Sequence, residues 1–300
     1  MPSAAEIEVS VVVVGYAPAA LLARCLSALR EQCRAAVGVE VVVVAHDSHQ
    51  GSALTPLREA FPEVRWLAAP PEYNVARMRG LGVAQARGGR VALLEGDCIP
   101  AKDWLARLVG LQPVTAIGGA VEPGDFRRAV DWAAYFAEFA RFMAPLPPAP
   151  AQLPGTNVVY RRSALPDPAQ LEQDGFYETF VHAALRSAGG LATDSGLVVH
   201  HQRRWRFRTL VATRFHHGRA YAALRVRGRA PGARVGYLVL VLGLPVLWLG
   251  RVLREIVGRG RLGWRAIQAL PSLIVLALSW SAGEFVGYAM GPGASLDHWR

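Results

Sequence analysis

The sequence predicts an α/β fold, a doubly wound and mostly parallel sheet, followed by a hydrophobic helical hairpin toward the carboxyl end. Three observations predict it. β-Branched apolar runs of buried-strand length alternate with helical patterns through the first third of the chain. Each run stops abruptly at polar residues. Two long apolar segments come only after this pattern has ended.

The elements follow in order. "VSVVVVGY" (Val9–Tyr16) is a strand buried on both faces. "PAALLARCLSALREQ" has apolar residues at helical spacing, and Pro18 suits a first helical turn. "VEVVVVAHDS" is a second strand, "VRWLAAP" a third, "NVARMRGLGVAQARG" a helix and "RVALLEGD" a fourth strand. A β-α-β-α-β order implies a parallel sheet, and such sheets bind ligands at the carboxyl ends of their strands. Gly15-Tyr16, His46-Asp47 and Glu95-Gly96-Asp97 all fall at those ends. Further on, "VTAIGGAVEPG" reads as a strand and "AVDWAAYFAEFARFM" as an aromatic helix. "APLPPAPAQLPG" is a Pro-rich loop, mobile or extended. "TNVVYRRSAL" is a strand, "GFYETFVHAALRSAGG" a helix stopped by glycines, and "LVVHHQRRWRFRT" a strand leading into a basic stretch.

The two apolar segments span about 235–250 and 266–283, the second closed by Glu284. Each approaches the roughly 18–20 residues that cross a bilayer. The loop between them, "RVLREIVGRGRLGWR", is strongly basic. Two spans would put it across the membrane from a cytoplasmic domain, against the positive-inside tendency. A hairpin entering only the near leaflet would not. Trp248, Trp264 and Trp280 suit interfacial anchors. The expected division is 1–225 for the α/β domain and 226–300 for a membrane-associated helical region.

Composition bounds the partners. The net charge is +10, and Lys102 is the one lysine, so arginine carries it. Such a balance favours phosphates, nucleotides and acidic headgroups. Net charge alone points to nucleic acid, and no recognition motif supports it. Cys25, Cys33 and Cys98 have no metal-type spacing and fit a reducing compartment. "MPSAAEIE" is acidic and the apolar run after it is short, so no secretory signal is expected.

Glu95 and Asp97 stand two apart at a strand's end, so their side chains point roughly the same way if the strand continues. They either close a solvated turn or hold something positive. Gly96 between them leaves room for a ligand to approach the backbone.

This ordered set of motifs, over roughly Val9–Ala222, resembles the family 2 glycosyltransferases with a Rossmann-like GT-A fold. "VSVVVVGY", "VEVVVVAHDSHQGS", "ARMRGLGVAQARGGRVALLEGDCIPAKDWL", "VTAIGGAVEP", "GTNVVYRRSAL" and "FYETFVHAALRSAGG" match its segments in order. The resemblance implies transfer of a sugar from a nucleotide-sugar, UDP by default, with inversion at C1. It implies a divalent cation, Mg²⁺ or Mn²⁺, on the diphosphate, since hard cations take carboxylate and phosphate oxygens. Asp97 matches the metal-binding acid. Glu95 replaces the usual Asp, and either reaches metal through water or contacts ribose. Gly15 and Tyr16 fall where the nucleotide lies. The second strand departs from the family, so either Asp47 stands in for its acid one position late or His46 contacts the base. Arg79 matches an arginine that would hold the diphosphate; its alternative is a surface helix arginine.

The family's base lies in a Glu-Asp pair, here Glu178-Thr179, leaving Glu178 as the catalytic residue. His182, one turn on, either pairs with it or packs in the helix. "HHQRRW" resembles a Q-x-x-R-W motif near the acceptor channel, with Arg204 on phosphate and Trp205 stacked on a sugar. His200 or His201 would complete the metal shell.

The expected activity is transfer to a lipid-linked or membrane-proximal glycan acceptor, on the cytoplasmic side of an inner membrane, in cell-envelope or exopolysaccharide-type synthesis. One alternative is transfer to a polyprenyl phosphate, which needs no strong base. Another is a non-catalytic membrane scaffold with a degenerate transferase domain. A nucleotidyltransferase would want a Gly-rich phosphate loop that "GYAPAA" does not supply.

Overall fold

The structure is a computed structural model and describes residues 7–46, 53–112, 115–188, 190–228 and 231–298. The chain forms two units, 1–124 with 142–203 and 125–141 with 204–300. This differs from a division at residue 225. The aromatic helix and the basic helix after "HHQRRW" both pack with the apolar helices, because their own apolar faces need a partner.

The first unit begins with β1 (Val9–Val14), buried at every residue, and α1 (Ala19–Cys33). β2 (Val39–Ala45), α2 (Leu54–Ala60) and β3 (Arg65–Ala68) follow. α3 (Val75–Gln85) is capped by Asn74, whose side-chain oxygen accepts from the Arg77 N–H at 3.0 Å. Then come β4 (Arg90–Glu95), β5 (Cys98–Pro100), α4 (Trp104–Gly110) and β6 (Ala116–Pro123). The second unit's α5 (Ala129–Phe139) interrupts here. The first unit resumes with β7 (Asn157–Arg161), α6 (Pro168–Asp174), α7 (Glu178–Ala188) and β8 (Leu191–His201). α6 was not legible in the sequence. α7 starts three residues later than expected, because Gly175 turns at φ 90° and the Phe176 N–H is drawn to the Ala76 carbonyl. The Pro-rich stretch before β7 is pinned: Leu146 N–H bonds the Ser195 hydroxyl, and Leu153 is buried.

The eight strands run in the order β3-β2-β1-β4-β7-β6-β8-β5. β1 to β4 are parallel, as expected. β7 and β5 pair antiparallel with their neighbours, so the sheet as a whole is mixed. Asn157 ties its second half together. Its side chain accepts from Trp104 Nε1 at 2.9 Å and donates to the Ala120 and Leu197 carbonyls at 2.9 and 2.8 Å. A fully buried amide is tolerable only when satisfied in this way.

The second unit holds α8 (Phe207–Arg225), α9 (Pro231–Leu240), α10 (Leu244–Gly258) and α11 (Gly263–Met290). A 3₁₀ turn at Val241–Gly243 joins α9 to α10, and Pro245 lies in the first turn of α10, where it costs no hydrogen bond. The second apolar segment does not close at Glu284. α11 runs on to Met290, and the buried Glu284 carboxylate accepts from Trp280 Nε1 at 2.6 Å and Tyr288 Oη at 2.8 Å. With both oxygens satisfied, an acid is held inside an apolar helix pair. Gly283 and Gly287 of α11 face backbone carbonyls of Phe215 and Arg219 on α8, a small-residue seam that lets two helices approach closely.

Close packing also fixes α3 in the first unit. A side chain at Gly80 would run into the Leu171 carbonyl of α6. Helix propensity alone predicts that Gly80→Ala stabilises by about 1 kcal/mol. Steric exclusion against backbone predicts a loss of about 1–3 kcal/mol instead. We expect the loss in thermal unfolding, with Gly89→Ala, which meets nothing, within about 0.5 kcal/mol of the parent.

Candidate active site

Register places the polar strand ends together. Val14 lies level with Val44 on one side and Glu95 on the other, so β1, β2 and β4 finish on one rim. Gly15 extends the ladder one step, its N–H reaching the Val44 carbonyl at 2.8 Å. Tyr16 meets the His46 ring edge-on at 6.3 Å, and His46 Nε2 donates to the Tyr73 carbonyl at 2.7 Å. Asp47 lies outside the described residues.

Beyond Glu95 the chain turns inward. Gly96 N–H bonds the Val14 carbonyl at 3.0 Å. A Cβ on Gly96 would sit 3.0 Å from Leu22 and 3.5 Å from Ala17. The space it leaves is therefore filled by α1 packing and is not a path for a ligand, which corrects the sequence reading.

Asp97 is 2% exposed. Its carbonyl accepts from Gln202 N–H at 2.8 Å. Its Oδ2 lies 3.8 Å from His201 Nε2 and 3.7 Å from Arg203 Nη1. Burial pushes its carboxyl above the usual range, with Arg203 opposing. Antiparallel pairing of β5 with β8 sets Cys98 opposite His201 and so brings that imidazole to Asp97. Side chains alternate along a strand, so His200 points the other way. Between the two candidates the structure thus brings His201 to Asp97. Burial pushes the His201 pKa down to about 4, which leaves the neutral imidazole that binds metals.

Glu95 has a different partner. Its carboxylate is ion-paired with Arg79 of α3, and the same guanidinium holds Glu178 Oε2 at 2.6 Å. Arg79 is 5% exposed, so it is no surface helix arginine. Burial works against its charge, but Glu178 and Glu95 outweigh it and hold it above the ordinary arginine pKa. Burial likewise raises the Glu95 carboxyl, with Arg79 opposing. Gly155 backs the arrangement: a Cβ there would lie 3.1 Å from the Glu178 carboxyl carbon.

His182 does not pair with Glu178. Its Nδ1 accepts from Leu153 N–H at 3.3 Å, so the ring proton sits on Nε2, 2.6 Å from the Tyr160 hydroxyl. It is a packed helix histidine. Arg204 and Trp205 begin the second unit. Arg204 is exposed, whereas Trp205 is buried, its N–H on Asp131 at 2.8 Å and its carbonyl on Arg128 at 2.9 Å. The motif register favoured Arg204, and Arg203 is the arginine that turns to Asp97. The end of β8 at His201 decides this, and it is not visible in the motif.

Among the described residues, no three His, Cys, Asp or Glu side chains gather as a closed metal shell. Asp97 and His201 are two ligand-type side chains whose polar atoms lie 3.8 Å apart. That fits a divalent cation which draws its other ligands from phosphate oxygens.

The sequence profile of Glycosyl transferase family 2 matches residues 10–165, more than half of the chain. The chain belongs to this family. It is 30% identical over 119 residues to Glycosyltransferase AglE of Haloferax volcanii, a match over 38% of this chain and 39% of that protein's length. The chain thus aligns with about two fifths of that relative. Among solved structures it is similar to the mannosyltransferase PcManGT from Pyrobaculum calidifontis, determined in complex with GDP-Man and Mn²⁺. The TM-score is 0.54 at 19% identity, over 94% of this chain and 89% of that one. The shared feature is the GT-A fold.

The buried histidine yields a pH prediction. Burial lowers the His182 pKa from 6.5 to about 4. The unfolded chain therefore binds a proton in a range where the folded one does not. Stability is full above pH 6.5 and falls as pH drops from there toward 4, by roughly 3 kcal/mol in all. Unfolding midpoints measured across that window should fall less steeply for His182→Gln. His201 keeps part of the slope.

Proposed function

We propose that this chain is an inverting glycosyltransferase that moves a sugar from a nucleotide-sugar to a lipid-linked or membrane-proximal acceptor. The observation that carries the reading is the strand-end rim in a family 2 fold, where Glu95, Asp97 and Glu178 meet Arg79 and Arg203. Gly15, Tyr16 and His46 are the candidates for the nucleotide side; Asp47, a further candidate, lies outside the described residues.

Asp97 and His201 would hold a divalent cation, which when bound neutralises charge on the diphosphate leaving group. Arg203, beside Asp97, supplies a fixed cation for the same oxygens. Glu178 takes the proton of an acceptor hydroxyl, and Arg79 fixes its direction. Arg204 and Trp205 remain the acceptor-side candidates.

The membrane reading rests on exposure. Arg234–Gly258 and Gly263–Met290 are long and apolar enough to cross a bilayer, and only 11% and 39% of their most apolar stretches are buried. Core helices of a soluble protein would be mostly buried. Three free cysteines suit the cytoplasmic side.

One observation favours the polyprenyl-phosphate alternative. Glu178 is already paired with a guanidinium, so its carboxylate is engaged and not free to meet an acceptor hydroxyl. An anionic phosphate acceptor needs no proton removed.

The test is turnover of a nucleotide-sugar panel, with and without membrane extract, following released nucleotide. Asp97→Asn should abolish turnover. Glu178→Gln should cost about 10²–10⁴-fold with a hydroxyl acceptor and little with a phosphate acceptor. If no nucleotide diphosphate binds by calorimetry, with or without Mn²⁺, the scaffold reading prevails.

A further inference from the structure

The hairpin of the second unit carries its charge at both ends of an apolar stretch. Val235, Val239, Leu240, Leu242, Val246 and Leu247 are between 62% and 76% exposed. Arg227 and Arg234 are exposed at one end of this stretch, and Arg251, Arg254 and Arg261 at the other. A segment that crossed a bilayer could be flanked in the same way, so the flanks alone do not settle the path.

The turn between α10 and α11 does. Arg259 Nη2 donates to the Arg141 carbonyl at 2.8 Å, and the Arg265 guanidinium lies 5.4 Å from the centre of the Trp132 ring. Both partners belong to the segment 125–141, which continues into the first unit at each of its ends. Its helix α5 has 11 residues, about 16 Å of rise, against a hydrocarbon core of about 30 Å. That segment cannot reach the far side of a membrane and come back. A turn tied to it stays on the side where the first unit lies.

We propose that α9, α10 and α11 enter only the leaflet on the first unit's side and return, with the arginine turn seated in anionic headgroups of that same surface. The inference rests on the membrane reading above and adds the path and the lipid charge. It removes the conflict between the basic loop and the positive-inside tendency, because no arginine is translocated. The arginine stems lie along apolar surface while their heads stay at the phosphates. Each arginine near an anionic surface adds about a fivefold gain in partition.

The test uses the full chain in sealed membrane vesicles from expressing cells. Cys25 and Cys98 are fully buried, so a Cys33→Ser parent gives a quiet background. Arg24→Cys in α1 and Arg261→Cys in the turn are each labelled with a membrane-impermeant maleimide, before and after detergent. Arg254→Cys supplies a second position should the turn not tolerate the change. We expect the same ratio of labelling at both sites, with detergent adding nothing to one that it does not add to the other. Labelling of the turn from the opposite face sinks the one-leaflet path and leaves membrane association standing. Recovery of the chain in the soluble fraction overturns the membrane reading, and this inference with it. Partition of the purified chain onto phosphatidylglycerol vesicles should fall about fivefold for each of Arg251→Gln and Arg254→Gln. Equal partition onto neutral phosphatidylcholine vesicles refutes the headgroup contact.

Discussion

A single buried guanidinium organises the strand-end rim. Arg79 comes from α3, Glu95 from the end of β4 and Glu178 from the first turn of α7, and one side chain binds both acids. Removing it would leave two carboxylates in a poorly solvated site without a counter-charge, which is far costlier than a missing surface pair. The charge balance extends to the neighbouring pair. Three carboxylates, Glu95, Asp97 and Glu178, face two guanidiniums, Arg79 and Arg203, with His201 neutral. With all three acids ionised, the site would carry one negative charge in excess. A divalent cation together with a dianionic diphosphate is the kind of addition that such a site accommodates without a large change in net charge.

The position of Arg79 follows from packing that has nothing to do with charge. Gly80 lets α3 lie against the α6 backbone, and Gly82 lets it lie against Val12 of β1. The helix is thereby held close to the sheet, and its arginine projects to the strand ends. Gly155 then allows the loop before β7 to cover Glu178 and Arg79. The glycines of "RGLG" are thus part of how the site is built, through packing alone.

The sequence shows the parallel half of the sheet plainly. β1, β2 and β4 are continuous apolar runs ending in polar residues, because a strand buried on both faces leaves that signature. Asp97 is legible for the same reason, as an acid at the end of such a run. The antiparallel half is less legible. β8 begins at Leu191, and its first residues, "LATDSG", carry no strand pattern, since that part is only half-buried. Pairing across β5 and β8 is long-range, so the choice between His200 and His201, and between Arg203 and Arg204, is decided by register rather than by motif. The contact of Arg79 with Glu178 has no sequence signal at all. Glu284 reads as the end of an apolar segment when charge alone is weighed, although Trp280 and Tyr288, four residues to either side, are spaced to satisfy it within the helix.

Under the proposed function, each unit bears separately on the choice of acceptor. In the first, a base candidate is held by a guanidinium, which suits an acceptor that needs little help losing a proton. In the second, apolar helices flanked by arginines suit a surface that is both hydrocarbon and anionic. A phosphate-bearing lipid has both properties. Its oxygen is already a nucleophile, so Glu178 would be left to orient through Arg79 rather than to deprotonate, and the Thr179 that replaces the family's second acid would carry no penalty. A neutral glycan acceptor asks more of Glu178 than its pairing with Arg79 readily allows, unless the donor's arrival draws the guanidinium toward the diphosphate and frees the carboxylate. The two acceptor readings therefore differ in what Arg79 does during turnover: it stays on Glu178 in one and transfers to the donor in the other.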